Sequence, residues 1–220
     1  MNQFNKYVGQ IFTPYWVAKF MIKYIDERDF LSLKFLEPAA GVGNIVLELY
    51  KKVIKKARQD NLSPNQIKDI LIKNIYAFEI DEDNYLNLVN NLVYFFKEEL
   101  NIDVRREDLI NIKNVDTLRW EFNEEFDIVL ANPPFTPVKF LPKKTKEYII
   151  DNFKYKEDIC QTFVEKSFSL LKKKGKMLFL LPSNIKKEKW VNDFPLEKTI
   201  DFDRKIFTAN IDASLFVFRR

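Results

Sequence analysis

Short apolar runs recur along this chain between longer stretches of helical period, and that alternation limits the folds open to it. The apolar runs that open LKFLEPAAG (33–41) and IYAFEID (75–81), with FDIVLA (126–131) and MLFLLP (177–182), are mostly apolar rather than apolar at every second residue. Strands of that kind are buried on both faces, the habit of parallel strands covered by crossover helices. Between them lie helical patterns. Residues 13–25 offer Thr13 as a cap, Pro14 in the first turn, and Val17, Phe20, Met21 and Tyr24 at helical spacing. Residues 44–58 repeat the period through Leu47, Tyr50, Val53, Ile54 and Ala57. Ser63-Pro64-Asn65-Gln66 has capping-box form and predicts a helix through Leu71. Residues 83–100 place Leu86, Val89, Val93 and Phe96 on one face, and 161–173 form a further helix before a turn at Gly175. A short strand is expected from Ile112 to Val115. Two tail strands, near 198–202 and 213–218, have a short connection and predict an antiparallel hairpin at a sheet edge. The sum is a doubly wound α/β fold, one domain over 1–220, with ligands at the carboxyl ends of its central strands.

Composition removes several chemistries. The chain has no histidine and one cysteine, so His bases, His-dependent triads and disulfides are excluded, and zinc or haem sites lack ligands. No metal is expected. Lys plus Arg (36) nearly balance Asp plus Glu (32), giving a net charge of +4 that permits a polyanionic partner without requiring one. The apolar runs are too short to cross a bilayer and no charged-then-apolar leader opens the chain, which predicts a cytoplasmic protein.

Glycine is scarce, yet two of the four glycines, Gly41 and Gly43, sit in EPAAGVGN between a strand and a helix. The ligand reading is a tight turn that lets a small molecule approach a helix N-terminus; the alternative is a βα turn with no ligand. Glu37 ends the strand entering that loop, where a carboxylate suits a cationic or hydroxyl-bearing group. Glu79 ends the next strand, placed for ribose hydroxyls. Gly43 and Glu79 stand farther apart than the roughly 20 residues of a dinucleotide fold, and Val46 replaces the third fingerprint glycine. Adenosine without a pyrophosphate fits better than a nicotinamide cofactor.

The strand FDIVLA runs directly into Asn132-Pro133-Pro134-Phe135. Two prolines end any ladder and stiffen the backbone beyond it. The segment reads either as a strand-ending turn with a surface ring or as a rigid acceptor of an amine.

Taken in order, GQIFTPYWVAKFM, FLEPAAGVGNIV, AFEID, VDTLRWEFNEEFD and IVLANPPF resemble the motifs of N6-adenine-specific DNA methyltransferases. The likeness is to the class with an N-terminal TP segment, found in type I, type II and IIG enzymes. It continues through DICQTFVEKSFSLLKKKGKMLFLLPSN and the closing IDFDRKIFTANIDASLFVF. It implies a Rossmann-like class I methyltransferase sheet and S-adenosylmethionine as cofactor. By match, Phe12, Thr13 and Pro14 pack over its methionine end, with Glu37, Pro38, Ala39, Gly41 and Gly43 beneath. Glu79 takes the ribose, Ile80 presses on the adenine and Asp116 bonds the adenine amino group, with Asp108 a rival for that last role. Thr13 also suits a cap, Ile80 the core, and Asp116 a turn.

The resemblance further implies that Asn132 and Pro133 accept the two N–H bonds of a flipped adenine, Pro134 stiffens the turn and Phe135 stacks on the base. Cys160 reads as a small core residue, which argues against C5-cytosine chemistry; N4-cytosine transfer uses the same kind of amine. Class members carry a target-recognition region after the catalytic domain, and the chain reads as that domain alone. DNA specificity is then expected from a specificity subunit or a C-terminal recognition region. Structured RNA as substrate, or a non-catalytic subunit that retains the fold, are the alternatives. Lys139, Lys143, Lys144 and Lys146 suit phosphate contacts or a solvated loop equally, and the basic runs 51–56 and 172–174 read as helix exteriors.

Overall fold

The computed structural model describes residues 12–25, 29–202, 206 and 212–220. The three residues that open the first motif (9–11) and much of 203–211 lie outside them. Among the described residues the strands are β1 (Phe35–Glu37), β2 (Ile75–Glu79), β3 (Ile112–Asn114), β4 (Phe126–Ala131), β5 (Leu171–Pro182), β6 (Leu196–Asp201) and β7 (Ala213–Arg219). They form a seven-stranded sheet in the order β3-β2-β1-β4-β5-β7-β6. The helices are α1 (Tyr15–Lys23), α2 (Asn44–Gln59), α3 (Pro64–Asn74), α4 (Glu82–Leu100), α5 (Lys143–Asn152) and α6 (Ile159–Ser169). Contacts divide the chain into two compact units, one of them Phe12–Thr117 and the other built from Leu118–Arg220.

In the unit Phe12–Thr117, β1 and β3 flank β2 in parallel, with Glu37 opposite Ala77 and Glu79 opposite Asn114. Helix α3 starts where the capping box predicts: Gln66 N–H donates to Ser63 Oγ, and Ser63 N–H to Gln66 Oε1. Tyr50 of α2 is fully buried with its ring edge-on to Phe95 and Phe96 of α4. Two helix faces differ from the expected ones. Helix α4 buries Tyr85, Leu88, Val89, Leu92, Phe95 and Phe96, while Leu86 is exposed and Val93 half-buried. Val89 and Phe96 keep their expected places, while Leu88 and Leu92 are buried instead of Leu86 and Val93. On α1 the buried set is Val17, Ala18, Met21 and Ile22, with Phe20 and Tyr24 left half-buried and packed edge-on to each other.

In the second unit β4 pairs β5 in parallel, and β7 lies antiparallel between β5 and β6. The tail hairpin is therefore as expected, with β6 at the edge. Residues 177–181 of β5 and 215–218 of β7 are almost wholly buried, which is why they read as continuous apolar runs. Lys172, Lys173 and Lys174 were expected on a helix but belong to β5, since α6 ends at Ser169. The register with β4 breaks between Phe126 and Ile128, and the extra residues bulge out. A positive φ is the expected reason for Gly175 in this turn, but Lys174 takes the left-handed conformation (φ 69°). Gly175 is required for another reason: a Cβ there would lie 2.8 Å from the Lys172 carbonyl oxygen and 3.1 Å from that of Asp127. Helix α5 was not anticipated, because three of its first four residues are lysines and Ile149 is its one buried residue. No helix among the described residues is long and apolar enough to cross a membrane.

Candidate functional site

The loop from Pro38 to Gly43 joins β1 to α2, and both of its glycines have positive φ, 54° at Gly41 and 91° at Gly43. Glycine reaches that region without the penalty a Cβ imposes. The two positions meet different neighbours. A Cβ on Gly43 would come within 2.4 Å of Leu88 Cδ1, so the space it leaves is filled by α4. A Cβ on Gly41 would lie 3.3 and 3.4 Å from the ring of Phe12, which is itself 48% exposed. Pro38 is buried and Ala39 half-buried.

Two carboxyl groups are buried at this end of the sheet, Glu37 and Glu79. Glu79 braces the loop: Oε2 accepts the Gly41 N–H at 2.7 Å and Oε1 the Asp81 N–H at 2.9 Å. Burial raises its pKa, and those N–H bonds offset only part of the rise. Glu37 is less well served. Its Oε2 is buried without a hydrogen-bond partner. Burial first, and then the charge of Glu79, pushes its carboxyl well above the ordinary range, against a backbone N–H bond from Val46 in the first turn of α2. An unsatisfied buried oxygen costs about 1–3 kcal/mol.

Of the remaining residues named from the sequence for this half, Thr13, Pro14, Ile80 and Asp116 lie by that loop or the segments that border it, and Asp108 lies in a separate turn. Thr13 is buried, and its carbonyl accepts Asn44 Nδ2 at 2.8 Å, tying the TP segment to the first residue of α2. Pro14, not Thr13, holds the cap position of α1, with no side-chain cap bond. Ile80 is 50% exposed at the end of β2, so it is not a core residue. Asp116 is half-buried between two anchors, the Val115 N–H on the Glu79 carbonyl (3.1 Å) and Thr117 Oγ1 on that of Pro38 (2.6 Å). Asp108 is engaged in its own turn: Oδ2 accepts the Arg105 N–H at 2.7 Å, which holds its pKa low.

Several braces escaped the sequence reading. Asn114 Nδ2 donates to the carbonyls of Glu79 (2.8 Å) and Ile80 (3.1 Å), and Asn91 Nδ2 to that of Val42 (3.0 Å). With Asn44 and Thr117 they fix the loop through side-chain bonds that leave no periodic trace in a sequence.

In the other unit Asn132 follows the last residue of β4 directly. Asn132, Pro134 and Phe135 are half-buried and Pro133 is buried. The turn is fastened to the start of α6: Ile159 N–H donates to the Thr136 carbonyl (3.0 Å) and Val138 N–H to that of Glu157 (2.9 Å). Asp158 and Gln161 cap that helix reciprocally. Rigidity here comes from the prolines and from a capping box together.

A family model for the Eco57I restriction-modification methylase matches residues 31–207, most of the chain. The chain belongs to that family. It is 24% identical over 175 residues to the type II methyltransferase M.VspI of Vibrio sp. (strain 343), covering 79% of this chain and 36% of that protein. The fold matches the M protein of the type I restriction enzyme EcoKI with a TM-score of 0.70 at 16% identity, over 96% of this chain and 44% of that one. A protein reported as a class I S-adenosylmethionine-dependent methyltransferase from Listeria monocytogenes matches with a TM-score of 0.63 at 13% identity, over 94% and 60%. The chain thus spans about two fifths of the curated relatives it matches.

As an Eco57I-family methylase the chain uses S-adenosylmethionine, and the residues around the glycine loop fit that cofactor. The unsatisfied oxygen of Glu37 suits a donor on a cationic ligand, and the exposed face of Ile80 suits a purine. The methylase has no activated thiol among its described residues: Cys160 is buried, and burial with Asp158 beside it pushes the thiol well above its usual pKa. A thiolate nucleophile is not available.

Proposed function

We propose that this methylase transfers a methyl group from S-adenosylmethionine to the N6 amine of adenine in DNA. One observation carries the reading: Asn132-Pro133-Pro134-Phe135 begins at the residue after β4 ends. The cofactor supplies an electrophilic methyl group on a sulfonium. The adenine amine is a poor nucleophile, because its lone pair is shared with the ring. Asn132 Oδ1 and the Pro133 carbonyl accept its two N–H bonds and so localise that lone pair. The prolines hold both acceptors, so little ordering entropy remains to be lost at reaction. Phe135 stacks on the flipped base, a contact worth roughly 1–3 kcal/mol. No side-chain base is needed before transfer, which agrees with a chain that lacks histidine. The Asn at the head of the motif favours adenine over the N4 amine of cytosine.

In the Phe12–Thr117 unit, Phe12, Thr13 and Pro14 pack on the methionine end of the cofactor, above Glu37 and the Pro38, Ala39, Gly41 and Gly43 loop. Glu79 takes the ribose through the lone pairs that its backbone N–H bonds leave, Ile80 packs on the adenine ring, and Asp116 accepts from its amino group. The engagement of Asp108 by Arg105 supports Asp116 in that role. Together the two units form the catalytic domain, while target recognition comes from a specificity subunit or a C-terminal recognition region. With DNA as its substrate, the proposed place of action is the cytoplasm. The test is methyl transfer from labelled cofactor to duplex DNA and to ribosomal RNA in parallel. Label in DNA is expected; label in RNA alone would overturn the reading.

A further inference from the structure

Beyond the NPPF turn the chain makes a short 3-10 turn, Val138–Phe140, before α5. Both neighbours of this turn's last residues are anchored. Val138 is 3% exposed and donates its N–H to the Glu157 carbonyl, and Leu141 is 6% exposed and donates to the Val138 carbonyl at 3.1 Å. Pro137 bridges to Asp158, and its carbonyl accepts the Phe140 N–H at 2.9 Å. Between these fixed points the Phe140 ring is 62% exposed. Rigid backbone, not a soft loop, holds an aromatic face in water.

A single exposed ring is ordinary; its surroundings are not. Lys139 Nζ lies 5.0 Å from the Phe140 ring centre. Residues 139–147 contain four lysines and one carboxylate, Glu147, which lies 3.8 Å from Lys143. Lys139, Lys143 and Lys144 are exposed. The three lysines at the start of α5 oppose the helix dipole, at about 0.3–1 kcal/mol each, and only Lys143 has an i,i+4 acid, Glu147, among the ion pairs of this helix. A fixed ring among lysines combines the two chemistries that nucleic acids reward, base stacking and phosphate neutralisation. An acidic protein surface would use the lysines alone.

The geometry points to residues 138–146 as a second DNA contact, in which Phe140 stacks on an unpaired base and Lys139, Lys143 and Lys144 hold the phosphates beside it. It rests on DNA as the substrate, but on no catalytic step. The contact favours duplexes with an opened base over fully paired ones, since only an unstacked base offers a free face.

Fluorescence anisotropy on dye-labelled 20-base-pair duplexes, one fully paired and one with a single unpaired adenine, tests it without turnover. Phe140→Ala should weaken binding to the unpaired-adenine duplex by about 5-fold or more, the low end of base–aromatic stacking. The paired duplex should change less than about 2-fold and the salt slope should stay as it was. Phe140→Trp should restore the preference. Replacing Lys139, Lys143 and Lys144 with Ala should weaken both duplexes and lower the slope of log K against log salt by about 2 to 3. A folded Phe140→Ala protein that binds both duplexes like the wild type would overturn the inference. So would an unchanged salt slope in the lysine variant, or a ring substitution that alters the mass by light scattering but not DNA binding. Methylation is scored separately: DNA binding of this pattern without transfer would count against the catalytic reading alone.

Discussion

Glu37 concentrates the tension at the glycine loop: a buried carboxyl with one oxygen unserved, beside a second carboxyl. A carboxyl whose folded pKa is raised adds stability below its unfolded pKa and loses that contribution as pH rises through the folded value. Glu37→Gln removes the charge that burial and Glu79 penalise. The variant should therefore melt above the wild type at pH 8, by an amount worth about 1–3 kcal/mol, and the gap should close as the pH is lowered to about 4. Cofactor affinity should fall in the same protein. Thermal melts across that range check it, and a gap independent of pH would contradict the assignment. Tyr50 shows a milder version, its hydroxyl buried without a partner and its pKa raised by burial. Tyr50→Phe should leave stability unchanged or raise it by up to about 1 kcal/mol, seen as a melting temperature up to about 4 °C higher.

At the scale of elements, the glycine loop is as much a packing joint as a ligand cradle. Gly43→Ala forces a side chain into a left-handed conformation and against Leu88, which is fully buried. The expected cost is about 1–3 kcal/mol. In a Leu88→Ala background part of that cost should vanish, leaving the backbone share, and strict additivity in a double-mutant cycle would show that Leu88 is not the obstacle. Elements whose signals are local were legible in the sequence. FDIVLA gave β4 to the residue, and the Ser63 capping box gave the start of α3. Where tertiary packing decides, the reading failed: α4 buries Leu88 and Leu92 in place of Leu86 and Val93, and α5 offered one buried residue and a run of lysines. The bulge that carries Lys172 into β5 depends on a partner strand.

At the scale of the molecule, the positions of the candidate site residues were legible because each lies at a strand end or in a loop, where the sequence pattern marks the end of an element. Glu37, Glu79 and Asn132 each close or directly follow a strand. The braces Asn44, Asn91, Asn114 and Thr117 were not legible, since each reports a contact between segments far apart in the chain. Membership of the Eco57I family supplies methyl transfer and its cofactor; the base is the claim that the NPPF chemistry adds. Its most direct test is mass spectrometry of nucleosides from DNA incubated with the protein and S-adenosylmethionine, with Asn132→Ala alongside. N6-methyladenine from the wild type, reduced at least about 100-fold in the variant as expected for loss of a transition-state hydrogen-bond acceptor, is the predicted result. N4-methylcytosine in its place, or N6-methyladenine undiminished by Asn132→Ala, would contradict it.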